Sequence, residues 1–121
     1  MSIALWVVQS ILALAFLFAG GSKLAQSKEA LAQRGMAYVE DFSATQVKLI
    51  GAAEVLGALG LVLPWATGIA PILTPIAAVG LALLMVGAML THRRRNEPQP
   101  IVANAILFAL AVVVAVGRFV A

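Results

Sequence analysis

A chain of 121 residues that is 63% hydrophobic and only 11% charged, with a mean hydropathy of +1.05, has too little polar surface for a soluble globular domain, where the apolar share is about 45–50%. It contains no cysteine, which excludes thiolate catalysis, disulfide exchange by its own thiols, and cysteine-ligated zinc or iron–sulfur centres. Its net charge of +3 comes from basic residues gathered at helix ends, a pattern of membrane topology and anionic-lipid contact rather than of nucleic-acid binding.

The first apolar segment runs from about Ile3 to Leu24, interrupted only by Gln9, Ser10, Ser22 and Lys23. Nothing basic precedes it, and its length is that of a span rather than a signal-peptide core, so it reads as a retained transmembrane helix. A polar interlude follows over residues 27–42. Ser27 can cap a short helix with Glu29 in its first turn, and Gly35 can stop it. Leu31, Met36, Tyr38 and Phe42 supply the apolar contacts of a segment lying at the interface; an ordinary connecting loop is the alternative.

Helix two opens on Ser43-Ala44-Thr45-Gln46, the spacing of a capping box. It is expected to run over 44–63, with Pro64 and Trp65 marking the turn and the membrane surface. The turn Pro64–Gly68 is short and uncharged, so helices two and three are antiparallel neighbours. Helix three is expected over 69–90, with Pro71 in its first turn and Pro75 either kinking it or marking its true start. A hydrophilic connection from Thr91 to Pro100 leads to helix four over 101–120, whose polar residues are Asn104 and Arg118. The fold expected is all-α: one membrane domain over 1–121, an antiparallel up-down four-helix bundle with a short interfacial helix between helices one and two.

Four spans put both termini and the Pro64–Gly68 turn on one side and the two polar loops on the other. Lys23, Lys28, Arg34, Lys48, Arg93, Arg94 and Arg95 fall on the loop side, and only Arg118 on the terminal side. Seven against one predicts a multi-pass cell-membrane protein with cytoplasmic loops (25–43 and 91–100) and extracytoplasmic termini.

Glu54 is the residue that composition does not explain. It stands mid-span, where an acid costs about 2.5–3.5 kcal/mol on insertion scales, so an intramembrane carboxyl reads as a functional site before anything else. At about 100° per residue, Gly51, Glu54, Gly57 and Ala58 share a face, and small residues let another helix approach it. The carboxyl is therefore expected inside the bundle, as a ligand contact, a proton-carrying group or an ion-pair partner; a purely structural interhelical hydrogen bond is the other reading.

Gln9, Phe16, Gly20 and Lys23 share a face of helix one. Lys23 lies near the helix end, where snorkelling to the headgroups is the commoner fate. Antiparallel packing puts Glu54 deeper by ~10 Å of helix rise, so a direct bond needs a lysine reaching inward, a water, or a break near Gly20-Gly21-Ser22. Asn104 and Phe108 share a face of helix four, while Arg118, far along it, reads as an interface anchor. Met85 and His92 lie on one stripe of helix three. The candidate ligand-binding residues are thus Glu54, Lys23, Asn104, His92 and Gln9, with Phe16, Gly51, Gly57, Met85 and Phe108 as pocket lining. No residue is assigned a catalytic role and no metal-binding cluster is present. Gly20-Gly21-Ser22-Lys23 has the wrong spacing for a phosphate loop, and no serine has a histidine–acid pair. Gly80 and Gly87, with Ala77 and Ala88, form either a second close-packed face inside the bundle or one between copies of the chain.

The glycine-framed glutamate in I-G-A-A-E-V-L-G-A-L-G-L-V-L-P (Ile50–Pro64), the segment A-F-L-F-A-G-G-S-K-L (Ala15–Leu24), the segment ending M-L-T-H-R-R-R (Ala77–Arg95) and the N-A-I-L of helix four together resemble the DoxX-like membrane proteins, small four-helix chains. The resemblance covers nearly the whole chain. It implies either a redox-associated, quinone- or lipid-binding membrane subunit of an oxidoreductase, or a non-enzymatic interaction or assembly factor. A small proton-coupled transporter is less favoured, since four helices leave little room for alternating access. On the first reading Glu54, Lys23 and Asn104 grip a polar head and Phe16, Met85 and Phe108 contact an apolar body. No cofactor is evident in the residues themselves, and any redox chemistry needs a bound one, such as a quinone, or a partner subunit.

Overall fold

A computed structural model describes residues 2–33 and 37–120. Its elements in chain order are α1 (Ser2–Ala25), α2 (Lys28–Gln33), a 3₁₀ turn (Ala37–Asp41), α3 (Ala44–Thr67), α4 (Leu73–Arg94) and α5 (Pro98–Phe119). α1, α3, α4 and α5 are each long and apolar enough to cross a membrane. The four pack as a ring in which α1 meets α3 and α5, and α4 meets α3 and α5.

Leu12, Phe16, Leu61, Ala78, Leu81, Ala111 and Val114 form the buried centre. Leu14, Phe18, Leu49, Leu56, Leu83 and Val102 point outward and are exposed. Apolar side chains all round a helix are what a hydrocarbon environment demands, and in water they would aggregate. The bundle is accordingly a membrane protein with the bilayer as its outer solvent.

The connection between α1 and α3 contains the short helix that the polar interlude predicts, and Ser27 Oγ caps it by accepting from the Ala30 amide at 3.1 Å. Leu31 packs with Val39 and Val47 in a small cluster of its own. Gly35 and Met36 lie outside the described residues, as does the side chain of Tyr38. The capping box forms in full: the Gln46 amide donates to Ser43 Oγ at 3.1 Å, and the Ser43 amide to Gln46 Oε1 at 2.9 Å.

Four helix ends differ from the expectation by three or four residues. α3 continues through Pro64 to Thr67 and stops at Gly68, whose φ of 74° is left-handed and whose amide returns to Pro64 O at 3.1 Å. A proline inside a helix leaves the carbonyl four residues back without its N–H donor, here that of Gly60. The Thr74 hydroxyl supplies the missing bond, donating to Gly60 O at 2.9 Å, and Gln9 Nε2 donates to the neighbouring Leu61 O at 2.6 Å. Thr74 of α4 therefore replaces what Pro64 removes, and Gln9 of α1 adds a second bond from outside the helix at the next carbonyl. α4 consequently begins at Leu73, not Ile69; Pro71 lies in the turn and Pro75 in the first helical turn, where no amide is needed. α4 then runs past Leu90 to Arg94, and α5 starts at Pro98, so the connection expected from Thr91 to Pro100 shrinks to residues 95–97. Basic residues in the last turn of α4 suit the negative end of the helix.

Candidate functional site

The site begins with two glycines. α1 and α3 touch backbone to backbone where Gly20 meets Gly51: a Cβ on Gly20 would lie 2.6 Å from Gly51 O, and one on Gly51 would lie 2.9 Å from Gly20 O and 2.7 Å from Lys23 Cβ. Lys23 is thus level with Gly51, and Glu54 lies only three residues deeper, about 4.5 Å of helix rise. A lysine spans that offset. Lys23 Nζ donates to Glu54 Oε1 at 2.7 Å, and both residues are buried. The offset of ~10 Å expected from helix ends alone is corrected by this crossing, and α1 needs no break at Gly20-Gly21-Ser22 to make the bond.

Lys48 completes the crossing. Its Nζ donates to the carbonyls of Lys23, Leu24 and Gln26 at 2.8, 2.8 and 2.7 Å, satisfying carbonyls that the end of a helix leaves open. In the sequence Lys48 stands out only as a loop-side charge. Its position one turn into α3, opposite the end of α1, is the signal for its second role.

A cavity of about 430 Å³ opens beside the pair, in the half of the bundle nearest the two connections. Phe16, Met85, Leu107 and Ala88 make much of its wall apolar, while Lys23, Glu54, Asn104, Thr91, His92 and Arg94 bring polar groups to it. Four of the five candidate ligand residues therefore converge: Glu54, Lys23, Asn104 and His92. Asn104 Nδ2 is buried and has no hydrogen-bond partner among the described residues. Of the candidate wall, Phe16 and Met85 line the cavity; Gly51 instead serves the α1–α3 crossing, Gly57 accommodates Leu81, and Phe108 packs against the apolar core. Phe42, Thr91 and Arg94 also reach the cavity. Thr91 and Arg94 escape a reading that ends the helix at Leu90, although Leu84, Ala88 and Thr91 follow helical spacing.

Gln9 lies elsewhere. It accepts from Arg118 Nε at 2.6 Å through Oε1 while its Nε2 holds Leu61 O. Arg118 is buried rather than an anchor at the membrane surface, with its guanidinium 4.4 Å from the Trp65 ring centre and 5.6 Å from that of Trp6. The faces of both indoles present negative charge density to it. The two polar clusters occupy opposite ends of one bundle, separated by the apolar centre.

At the cavity's outer rim, His92 Nδ1 lies 2.8 Å from Glu97 Oε1. Arg95 extends this pairing to the other connection, donating from Nη1 to Asp41 at 2.9 Å and from Nη2 to Glu40 at 3.2 Å. Phe42, the next residue, lines the cavity, so the network fastens one wall element to the α4–α5 connection. The hydrogen bond from His92, helped by the charge of Arg95, holds the Glu97 carboxyl below its ordinary range. Because the folded value is the lower one, this contribution is present above the unfolded carboxylate value of ~4.3 and is lost as pH falls through the folded value. Amide exchange at residues 39–42 is expected to accelerate in that acid window in the wild type, and Glu97→Gln should remove the acid dependence of this part of the exchange.

Chemically, the arrangement offers a hydrogen-bonded acid–base pair and an unsatisfied amide inside a chamber whose wall is mostly apolar. Such a chamber suits the polar end of a molecule that lives in lipid. The sequence matches the DoxX-like family over residues 7–114. No curated protein and no solved structure gives a match. With the family matched over most of its length, the chain belongs to the DoxX-like family.

Proposed function

We propose that this DoxX-like membrane protein binds a membrane-dissolved amphiphile, a quinone or a lipid, with the ligand's polar end against Lys23, Glu54 and Asn104, and serves as a binding subunit beside a membrane redox partner. The carrying observation is the cavity itself, which reaches the buried ion pair and keeps the Asn104 amide without an acceptor. A carboxyl buried mid-span is expensive, and a ligand contact gives its retention a purpose that packing alone does not. Native mass spectrometry of protein released from a mild detergent tests the proposal. The wild type is expected to carry a copurifying amphiphile, and Glu54→Gln, verified as folded by circular dichroism, to lose it. Wild-type protein that flies at the bare polypeptide mass, with no quinone or lipid retained after supplementation, would sink the reading.

We further propose that the cavity half of the bundle faces the cytoplasm, because seven of the eight lysines and arginines lie on that side. The absence of native cysteine makes the test direct. A cysteine introduced at exposed Thr67 is expected to react with an impermeant maleimide on intact cells, and one at exposed Asn96 only after lysis. The reverse pattern would invert the topology.

A further inference from the structure

The cavity has an opening whose direction can be read from its wall. Among its lining residues, Leu83, Gly87 and Arg94 are exposed, whereas the others are buried or half-buried. All three belong to α4, at spacings of four and seven residues, and fall within about 60° of one another around the helix. They therefore mark a lengthwise slot of roughly 16 Å from mid-span to the helix end.

The slot lies on the α3 side of α4. Deeper in the bundle the two helices are in close contact, with Gly57 against Leu81 and Gly60 against Ala77. Nearer the connections Ile50 and Leu84 line open space instead. Gly87 widens the gap: a Cβ there would meet nothing within 4 Å.

The charges facing this space do not balance. Lys23 is matched by Glu54, whereas Arg94, at the polar end of the slot, has no ion pair among the described residues. The buried Asn104 Nδ2 adds a second donor without an acceptor. An occupant that satisfies both is rich in acceptors and carries negative charge, and the slot's apolar, lipid-facing flank accepts a chain.

Resting on the reading of this cavity as a ligand site, we propose that it is entered sideways from the bilayer through the slot between α3 and α4, and that its ligand is a single-chain acidic amphiphile, a carboxylate or phosphate whose head lies between Arg94 and Asn104 with its chain along Leu83 and Gly87. A neutral ligand leaves Arg94 unmatched and a head bearing only donors leaves Asn104 unmatched.

The test is titration of the detergent-purified protein with oleate, lysophosphatidic acid and oleyl alcohol, with occupancy read by native mass spectrometry. Oleate, lysophosphatidic acid or both are expected to bind, and oleyl alcohol to bind at least tenfold more weakly; which acid prevails identifies the head as carboxylate or phosphate. Arg94→Gln is expected to weaken the acid by about tenfold, the scale of one charge-assisted hydrogen bond, without changing oleyl alcohol. At Gly87 an added Cβ meets nothing within 4 Å, so Gly87→Leu is expected to fold, to fill the slot with its side chain and to abolish binding. Gly80→Leu, equally free of contacts but away from the cavity wall, is expected to bind as the wild type does. Binding of the alcohol or of a neutral quinone equal to the acids, and indifferent to Arg94→Gln, would overturn the acidic ligand while leaving the cavity reading intact. Undiminished binding by Gly87→Leu would overturn the sideways entry. No binding by any of these probes, with no copurified amphiphile, would overturn both this inference and the cavity reading on which it rests.

Discussion

Lys23→Met, with Glu54 left in place, is expected to destabilise the bundle by about 3–5 kcal/mol, the cost of breaking a buried pair and leaving one charge uncompensated. The pair meets the condition for a large effect: both residues are buried and the contact is 2.7 Å. Glu54→Gln alone strands the ammonium instead, but the amide oxygen can still accept from Lys23, so its loss should be smaller. The double change Lys23→Met with Glu54→Leu removes both charges at similar volume and is expected to return stability to within a few kcal/mol of the wild type or above it. Reversible unfolding in mixed micelles measures all three. Ligand retention separates structure from function, because the double variant should fold and yet bind nothing. A double variant as unstable as Lys23→Met would show that the pair does not act as a unit, and one that retains the copurified ligand would remove the pair from the site.

Gly20→Ala against Gly21→Ala is the second comparison with a large expected difference. A Cβ at Gly20 would meet the backbone of Gly51 at 2.6 Å, so α1 and α3 would have to move apart. Overpacking of this kind costs about 1–3 kcal/mol, and separating the helices also pulls Lys23 away from Glu54 and Lys48 from the end of α1. At Gly21 an added Cβ meets nothing within 4 Å. There the exchange to alanine should be neutral or stabilising by up to about 1 kcal/mol, the helix-propensity difference. The expected signature is thus a lower unfolding midpoint and weakened ligand retention for Gly20→Ala, with Gly21→Ala at or above the wild type. Equal midpoints would mean that the glycine crossing does not position the site.

This contrast also shows how far residue spacing reaches. Gly20 and Gly21 are equivalent in a string of letters, and so are Gly51 and Gly87. Helical phase singles out the Gly51–Glu54 face, but only the crossing of two helices reveals which glycine each neighbour needs. The same limit explains Gln9. It shares a helical face with Lys23, yet it lies at the other end of α1, where the Leu61 carbonyl near Pro64 and the guanidinium of Arg118 engage it. Face is a property of one helix, whereas depth and partner depend on how two helices are set against each other.

The helix ends follow the same division. Ser43 and Gln46 form their cap through contacts three residues apart, which local order states completely. Pro64 reads locally as a stop and is not one, because Thr74 takes up the carbonyl it abandons from another helix. The histidine–arginine run after Leu90 reads as a loop, but Thr91 and His92 are buried and keep α4 helical as far as Arg94.

By itself the sequence determined that this is a membrane protein, that four apolar segments of spanning length form its body, and that Glu54 needs a protein interior, since those are consequences of composition, run length and the cost of charge in hydrocarbon. Only the tertiary structure decided that Lys23 rather than Gln9 belongs with Glu54, that His92, Asn104 and Arg94 face the same cavity, and that Arg118 is held by tryptophans at the far end. The reason is that each of these depends on the register between helices. Two backbones meeting at Gly20 and Gly51 set the register of α1 against α3, and no property of either helix alone contains it.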